Sequence, residues 1–175
     1  MALLPLGAHT IGLRVTDSRG TTDTSQTVVT VRDTTPPSLV LAVEPDILWP
    51  PNHRLVPVNV GWRVTDRCAP QASARLVSVT SSEPADSPGD ADGRTDVDVT
   101  SLEIGTSDTE IELRAERDGD GFGRTYEILY VSSDAAGNRA SALAAVVVPH
   151  DQGQGPEPLR LRLETNGAPG AASLF

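Results

Sequence analysis

Apolar residues along this chain recur at every second position rather than every third and fourth. Ile11, Leu13 and Val15 alternate with other residues, as do Val56, Val58, Val60, Trp62 and Val64. Ile111, Leu113 and Ala115 alternate with Glu110, Glu112 and Arg114. A period of two puts one set of side chains on one face of an extended strand, so the pattern predicts half-buried β-strands. Thr, Ser, Gly and Pro fill the intervals and predict turns. Helical periodicity is absent, and the predicted class is all-β.

The pattern predicts a hairpin over residues 8–16 and 27–32, with Ile11, Leu13 and Val15 on one face. Seven strands follow, over 38–44, 54–65, 73–80, 96–104, 109–116, 124–133 and 140–148. About seven short strands with turn signals between them fit an immunoglobulin-like antiparallel β-sandwich. Three units result: residues 1–33, the C-terminal hairpin of a truncated module; 34–150, a complete sandwich; and 151–175, a polar Gly/Pro linker with either a disordered tail or the start of a next module. A strand over 159–164 would begin such a module. A two-stranded hairpin is marginal alone in water, so the first unit is either a piece of a larger fold or leans on the second.

One motif occurs twice. Asp17 and Gly20 recur as Asp134 and Gly137, 117 residues on, and Val29 and Val31 recur as Val146 and Val148 at the same interval. Each copy reads strand, Asp-x-x-Gly turn, strand. Asp17 and Asp134 are turn formers, because an Asp carboxylate accepts backbone N–H groups just ahead of it and Gly20 and Gly137 allow positive φ. Asn138 completes the second turn.

The run Ser132-Ser-Asp-Ala-Ala-Gly-Asn138, ending in a Val-rich strand, resembles the last hairpin of bacterial Ig-like, PKD-like and hyalin-repeat modules. Asp33-Thr-Thr-Pro-Pro37 resembles the segment that opens hyalin-type repeats. The blocks Leu48-Trp-Pro-Pro-Asn-His53, Asp66-Arg-Cys68, Ser78–Pro84 and Leu113–Arg117 are similar to such repeats in large exported bacterial proteins. The resemblance covers about residues 34–151. It implies a non-catalytic extracellular or cell-surface module that acts as a spacer or in adhesion. Its partners would be neighbouring modules of the same parent chain and a surface glycan or protein ligand.

Composition narrows the partners. The net charge is −10, which argues against nucleic acid and against anionic membrane surfaces, since both need a basic face. All 14 basic residues are Arg, which we read as codon bias. Cys68 is the single cysteine; it permits no intrachain disulfide and is expected to be a small buried residue, with an intermolecular bridge as the alternative. A monomer is expected. No stretch approaches the roughly 20 apolar residues of a membrane helix. The first residues lack the basic region of a signal peptide, so export is inferred from module type alone.

Residues Glu83–Asp98 hold six carboxylates. Asp90, Asp92, Asp96 and Asp98, joined by Asp118 and Asp120 from a Gly-rich turn, form a candidate calcium site, because hard cations take six to eight oxygens. The alternative is a solvated acidic loop. Arg114, Glu116, Arg117 and Arg124 are expected to form an ion-pair ladder across neighbouring strands. Trp49, in a stiff Pro-rich loop, either stacks on a sugar ring or plugs one end of the sandwich; Trp62 is expected in the core. His9, His53 and His150 lack metal spacing. No nucleophile elbow or phosphate loop occurs, and nothing fixes Glu83 and Asp98 as a paired-carboxylate site. The reading is a non-enzymatic spacer or adhesion module; its rival is an accessory carbohydrate-binding module of a secreted hydrolase.

Overall fold

The computed structural model describes residues 4–68, 73–85, 95 and 97–151. Nine strands run through them: β1 (Gly7–Thr16), β2 (Thr22–Val31), β3 (Ser38–Glu44), β4 (Leu55–Thr65), β5 (Ser73–Ser81), β6 (Val99–Thr100), β7 (Glu110–Arg114), β8 (Gly123–Ser133) and β9 (Arg139–Pro149). The described residues contain no helix. All strand pairs are antiparallel, in three sheets: β1-β2, β3-β4-β7-β6 and β5-β8-β9.

The four-stranded and three-stranded sheets share one core. Leu39, Val58, Val60, Ile111 and Leu113 come from the first sheet; Ala74, Leu76, Tyr126, Ile128, Tyr130, Val146 and Val148 come from the second. Each set has one parity along its strand, so alternation itself builds the apolar layer. A bulge between Leu76 and Ser78 shifts the register of β5 and leaves Val77 outside. Beyond β3 the chain crosses to the second sheet. Leu48 N–H donates to the Val147 carbonyl and Val147 N–H donates to the Asp46 carbonyl, both at 2.8 Å, in a parallel bridge along β9. This covers an edge that would otherwise be open and sinks Leu48, which is 2% exposed, into the core.

Several expectations need correction. The strand expected over 96–104 is limited to Val99–Thr100, because Ser101 takes φ 58° and a strand cannot continue through the left-handed region. The second strand of the hairpin begins at Thr22, earlier than expected: the Thr-rich segment pairs in register with β1 instead of turning, as β-branched residues favour. Trp62 is on the inward face, but it packs half-buried against the rim of the core, and its buried indole N–H has no hydrogen-bond partner. Cys68 is exposed. The chain turns there, with Cys68 N–H donating to Asp66 Oδ1 at 2.7 Å, and never carries the thiol inward. The residues beyond 151 lie outside the described residues.

Ile128→Ala should cost about 2–5 kcal/mol, the usual loss for a filled core position. Trp62→Ala should cost less, since the ring is only partly buried. Urea melts of both variants check this, and equal losses would place Trp62 in the centre of the core.

Candidate functional site

One end of the sandwich gathers the β3–β4 loop, the β5–β6 and β7–β8 connections and the exit of β9. His53 N–H donates to the Ala115 carbonyl at 3.0 Å, Asp118 N–H to Glu83 Oε2 at 2.7 Å, and Arg117 Nη2 to the His150 carbonyl at 2.7 Å. Beneath these loops lies a sealed ionic cluster centred on Arg124.

Arg124 shares the inward parity of Tyr126, Ile128 and Tyr130, and it is 0% exposed. A guanidinium taken out of water needs its charge and its N–H groups satisfied. Nη1 donates to Asp98 Oδ2 and, at 3.3 Å, to the Tyr126 hydroxyl. Nε donates to Glu83 Oε2 at 3.2 Å, and Nη2 to the Pro84 carbonyl at 3.1 Å. Glu116 Oε1 lies 3.9 Å from Nη1. Tyr126 passes its own hydroxyl proton to the Arg114 carbonyl at 2.9 Å. Arg114 brings a second positive charge, with Nε 3.6 Å from Asp98 Oδ1 and hydrogen bonds to the backbone carbonyls of Val97 and His53.

Glu116 should point outward by strand parity, yet it is fully buried. The strand ends at Arg114, and Glu116 N–H folds back onto the Arg114 carbonyl at 3.0 Å; this breaks the alternation and turns Ala115 and Glu116 inward together. The Thr95 hydroxyl donates to Glu116 Oε1 at 2.5 Å, and His53 Nδ1 lies 3.2 Å from Oε2. Three carboxylates then face two guanidiniums. Burial pushes the Glu116 carboxyl above its usual range, and the neighbouring Asp98 adds to the rise; Thr95 and His53 oppose it. Burial disfavours the Arg124 cation, but Tyr126, Asp98 and Glu83 outweigh it and hold the guanidinium charged. Burial raises the Tyr126 phenol to about 12, against the pull of Arg124.

Asp98, named above as a candidate calcium ligand, is held between Arg124 and Arg114. Asp118 Oδ1 accepts the Asp120 N–H at 3.0 Å and shapes its own turn. Asp90, Asp92 and Asp96 lie outside the described residues. The expected ladder of Arg114, Glu116, Arg117 and Arg124 is a buried knot instead, and Arg117 donates to the carbonyls of Asp118, Pro149 and His150. The partners that sequence reasoning missed are Thr95, His53 and Tyr126; Glu83 and Asp98 were considered as members of the acidic segment, Asp98 as a calcium ligand, and as a paired-carboxylate site, but not as partners of Arg124. The inward parity of Arg124 was the available signal that buried acids must surround it. Asp98, Glu116 and Arg124 have almost no solvent contact.

The two Asp-x-x-Gly turns are built alike. Asp17 Oδ1 accepts the N–H groups of Arg19 and Thr21, and Gly20 N–H donates to the Asp17 carbonyl, with Gly20 at φ 86°. Asp134 Oδ1 accepts Asn138 N–H, and Gly137 N–H donates to the Asp134 carbonyl, with Gly137 at φ 90°. The N–H groups of Thr21 and Arg19 hold the Asp17 carboxyl low. At Asp134 burial works the other way, but the Asn138 amide and the turn N–H groups prevail and hold it low. The Asn138 side-chain amide also reaches the carbonyls of Asp33 and Thr35, at 3.3 and 3.4 Å.

Two further features are open to solvent. Trp49 is 41% exposed beside the buried Leu48, so Leu48 and not Trp49 fills the end of the core. A groove of about 710 Å³ is lined by Glu103, Asp108, Glu110 and Glu112 among others. Asp108 accepts the N–H groups of Glu103 and Glu110, and Glu112 accepts the hydroxyls of Thr100 and Ser101, so two of its acids are engaged locally. At the other end of the sandwich, Asp33, Asp66 and Cys68 bring ligand atoms within 4.8 Å of one another. Desolvation first, then the two carboxylates, pushes the Cys68 thiol up and keeps it in its less reactive form. Comparison with protein-family models, curated proteins and solved structures finds no match.

Arg124→Ala should cost about 3–5 kcal/mol, because it strands buried carboxylates. Arg124→Met combined with Asp98→Asn and Glu116→Gln should recover most of that loss, as read from urea melts. The pH dependence of Glu116 has a definite sign. Below the ordinary glutamate range both folded and unfolded states hold the proton. As pH rises through it, only the unfolded state releases the proton, so stability falls. Glu116→Gln should match wild type near pH 4 and exceed it at pH 7; a variant less stable at pH 7 than at pH 4, relative to wild type, would show that the ionised carboxylate is the stabilising form.

Proposed function

We propose that this chain carries a non-catalytic, extracellular Ig-like module that spaces neighbouring domains in a large exported bacterial protein. The observation that carries the proposal is how the chain enters and leaves the sandwich. It arrives at Asp33–Thr35, held by the Asn138 amide at one end of β9. It leaves at Pro149–His150, held by Arg117 at the other end. The eleven residues of β9 separate these points by roughly 35 Å. A module with its two junctions at opposite poles, each clamped by a side chain, transmits position along a chain. Strand order supports the Ig-like part: taking β3 to β9 as first to seventh, the sheets run 1-2-5-4 and 3-6-7, the arrangement of constant-type immunoglobulin domains.

The second reading, a carbohydrate-binding accessory module, has the exposed ring of Trp49 in its favour. Affinity electrophoresis through gels containing soluble plant and bacterial polysaccharides separates the two. A spacer should migrate as in plain gel. Retardation that Trp49→Ala abolishes would support the glycan reading and overturn the spacer. The surrounding reading frame supplies an independent test: a spacer should lie among similar units behind an export signal.

Calcium belongs to this proposal only as a ligand of the acidic segment 83–98. If it binds the folded chain, Tm should rise with calcium concentration and rise less with magnesium. Superimposable melts in chelator and in millimolar calcium would remove it.

A further inference from the structure

The hairpin β1-β2 copies β8-β9 pair for pair. Adding 117 to the pairs Gly7/Val31, His9/Val29, Ile11/Thr27, Leu13/Ser25 and Val15/Asp23 gives Arg124/Val148, Tyr126/Val146, Ile128/Ala144, Tyr130/Ala142 and Ser132/Ala140, all of them observed pairs. The turns agree in their Asp carboxylate and Gly bonds as well. In β8-β9 this face is the inner layer of the sandwich, and Tyr126, Ile128, Tyr130, Val146 and Val148 are buried. In β1-β2 the same face carries Ile11, Leu13 and Val15, and Leu13 is 64% exposed. Both long edges of β8-β9 are also covered, by β5 and by Asp46–Leu48. Within the three sheets, β1 and β2 pair only with each other.

We propose that the Ile11–Leu13–Val15 face of the hairpin is a docking surface for a five-stranded all-β unit of the β3–β7 kind, which β1-β2 closes as β8-β9 closes the described sandwich. A second copy of the hairpin is too small to be the occupant. Two ten-residue strands 4.8 Å apart present roughly 300 Å², and two such faces bury well under the ~1,200 Å² of a stable interface. A two-sheet partner adds the edge pairing that a face-to-face hairpin lacks. The inference rests on register and exposure, and it stands whether the described sandwich spaces domains or binds glycan.

The test compares amide hydrogen exchange in the 175-residue chain with exchange in the same chain extended by its own β3–β7. Residues 36–122 are joined directly to Leu6, which reproduces the spacing of Gly123 from β7. A second extended chain carries Gly7→Arg, His9→Tyr and Leu13→Tyr, which give the hairpin the core side chains of β8-β9. Protection of β1 and β2 should rise by more than about 100-fold in at least one extended chain. Leu13→Asp should abolish the gain, while Thr24→Asp, on the opposite face, should leave it. With β8-β9 protected, unchanged exchange in β1-β2 of both extended chains would overturn the proposal. So would a 175-residue chain that sediments as a dimer with its hairpin already protected, since a second copy would then hold the face.

Discussion

A guanidinium without exposed surface must be neutralised where it sits, and the loops at one end of this sandwich are arranged to do that for Arg124. Asp98 comes from the segment before β6, Glu83 from the end of β5, Glu116 from the end of β7 and Tyr126 from β8. The β5–β6 connection, which carries Glu83 and Asp98, and the β7–β8 connection, which carries Glu116, therefore share one charge with β8. The strand alternation fills the middle of the sandwich with aliphatic and aromatic side chains; the ionic knot closes its end. A buried pair of this sort is weak grounds for extra stability, because desolvation offsets most of the attraction. A connection that withdrew its carboxylate would leave a buried charge behind, so the two connections are held in one arrangement.

The charge balance of the knot also bears on Glu116. Like charges crowded in a low-dielectric site disfavour ionisation. Glu116 is fully buried with Asp98 as a like-charged neighbour, which pushes its carboxyl above the usual range, while the Thr95 hydroxyl and His53 oppose the rise and orient it. The guanidiniums of Arg124 and Arg114 place tethered positive charge beside Asp98.

The opposite end is organised by uncharged donors and backbone. The Asp134–Asn138 turn serves two purposes at once, closing β8-β9 through its carboxylate and holding the incoming chain through the Asn138 amide. The earlier turn has Thr21 at the position corresponding to Asn138, so it closes its hairpin in the same way but carries no side-chain amide for a second chain segment. The two hairpins thus have one backbone design and different surroundings.

Strand positions were legible because period-two alternation is a local consequence of backbone geometry. β3, β4, β8 and β9 begin and end within about a residue of where the pattern put them, and the doubled Asp-x-x-Gly turn was readable from residue types alone, since few residues other than Gly accept positive φ. The pattern also showed which face of each strand is apolar. It could not show where alternation stops. Ser101 takes the left-handed region and Glu116 N–H folds back onto the Arg114 carbonyl, and both reversed local expectations. The acidic partners of Arg124 lie 8 to 41 residues away in sequence, and no local rule joins them; only the packing of two sheets brings their ends to one point. The half-burial of Trp62 and the exposure of Cys68 and Trp49 were likewise decided by tertiary structure, because parity fixes the direction of a side chain but not whether another layer lies beyond it.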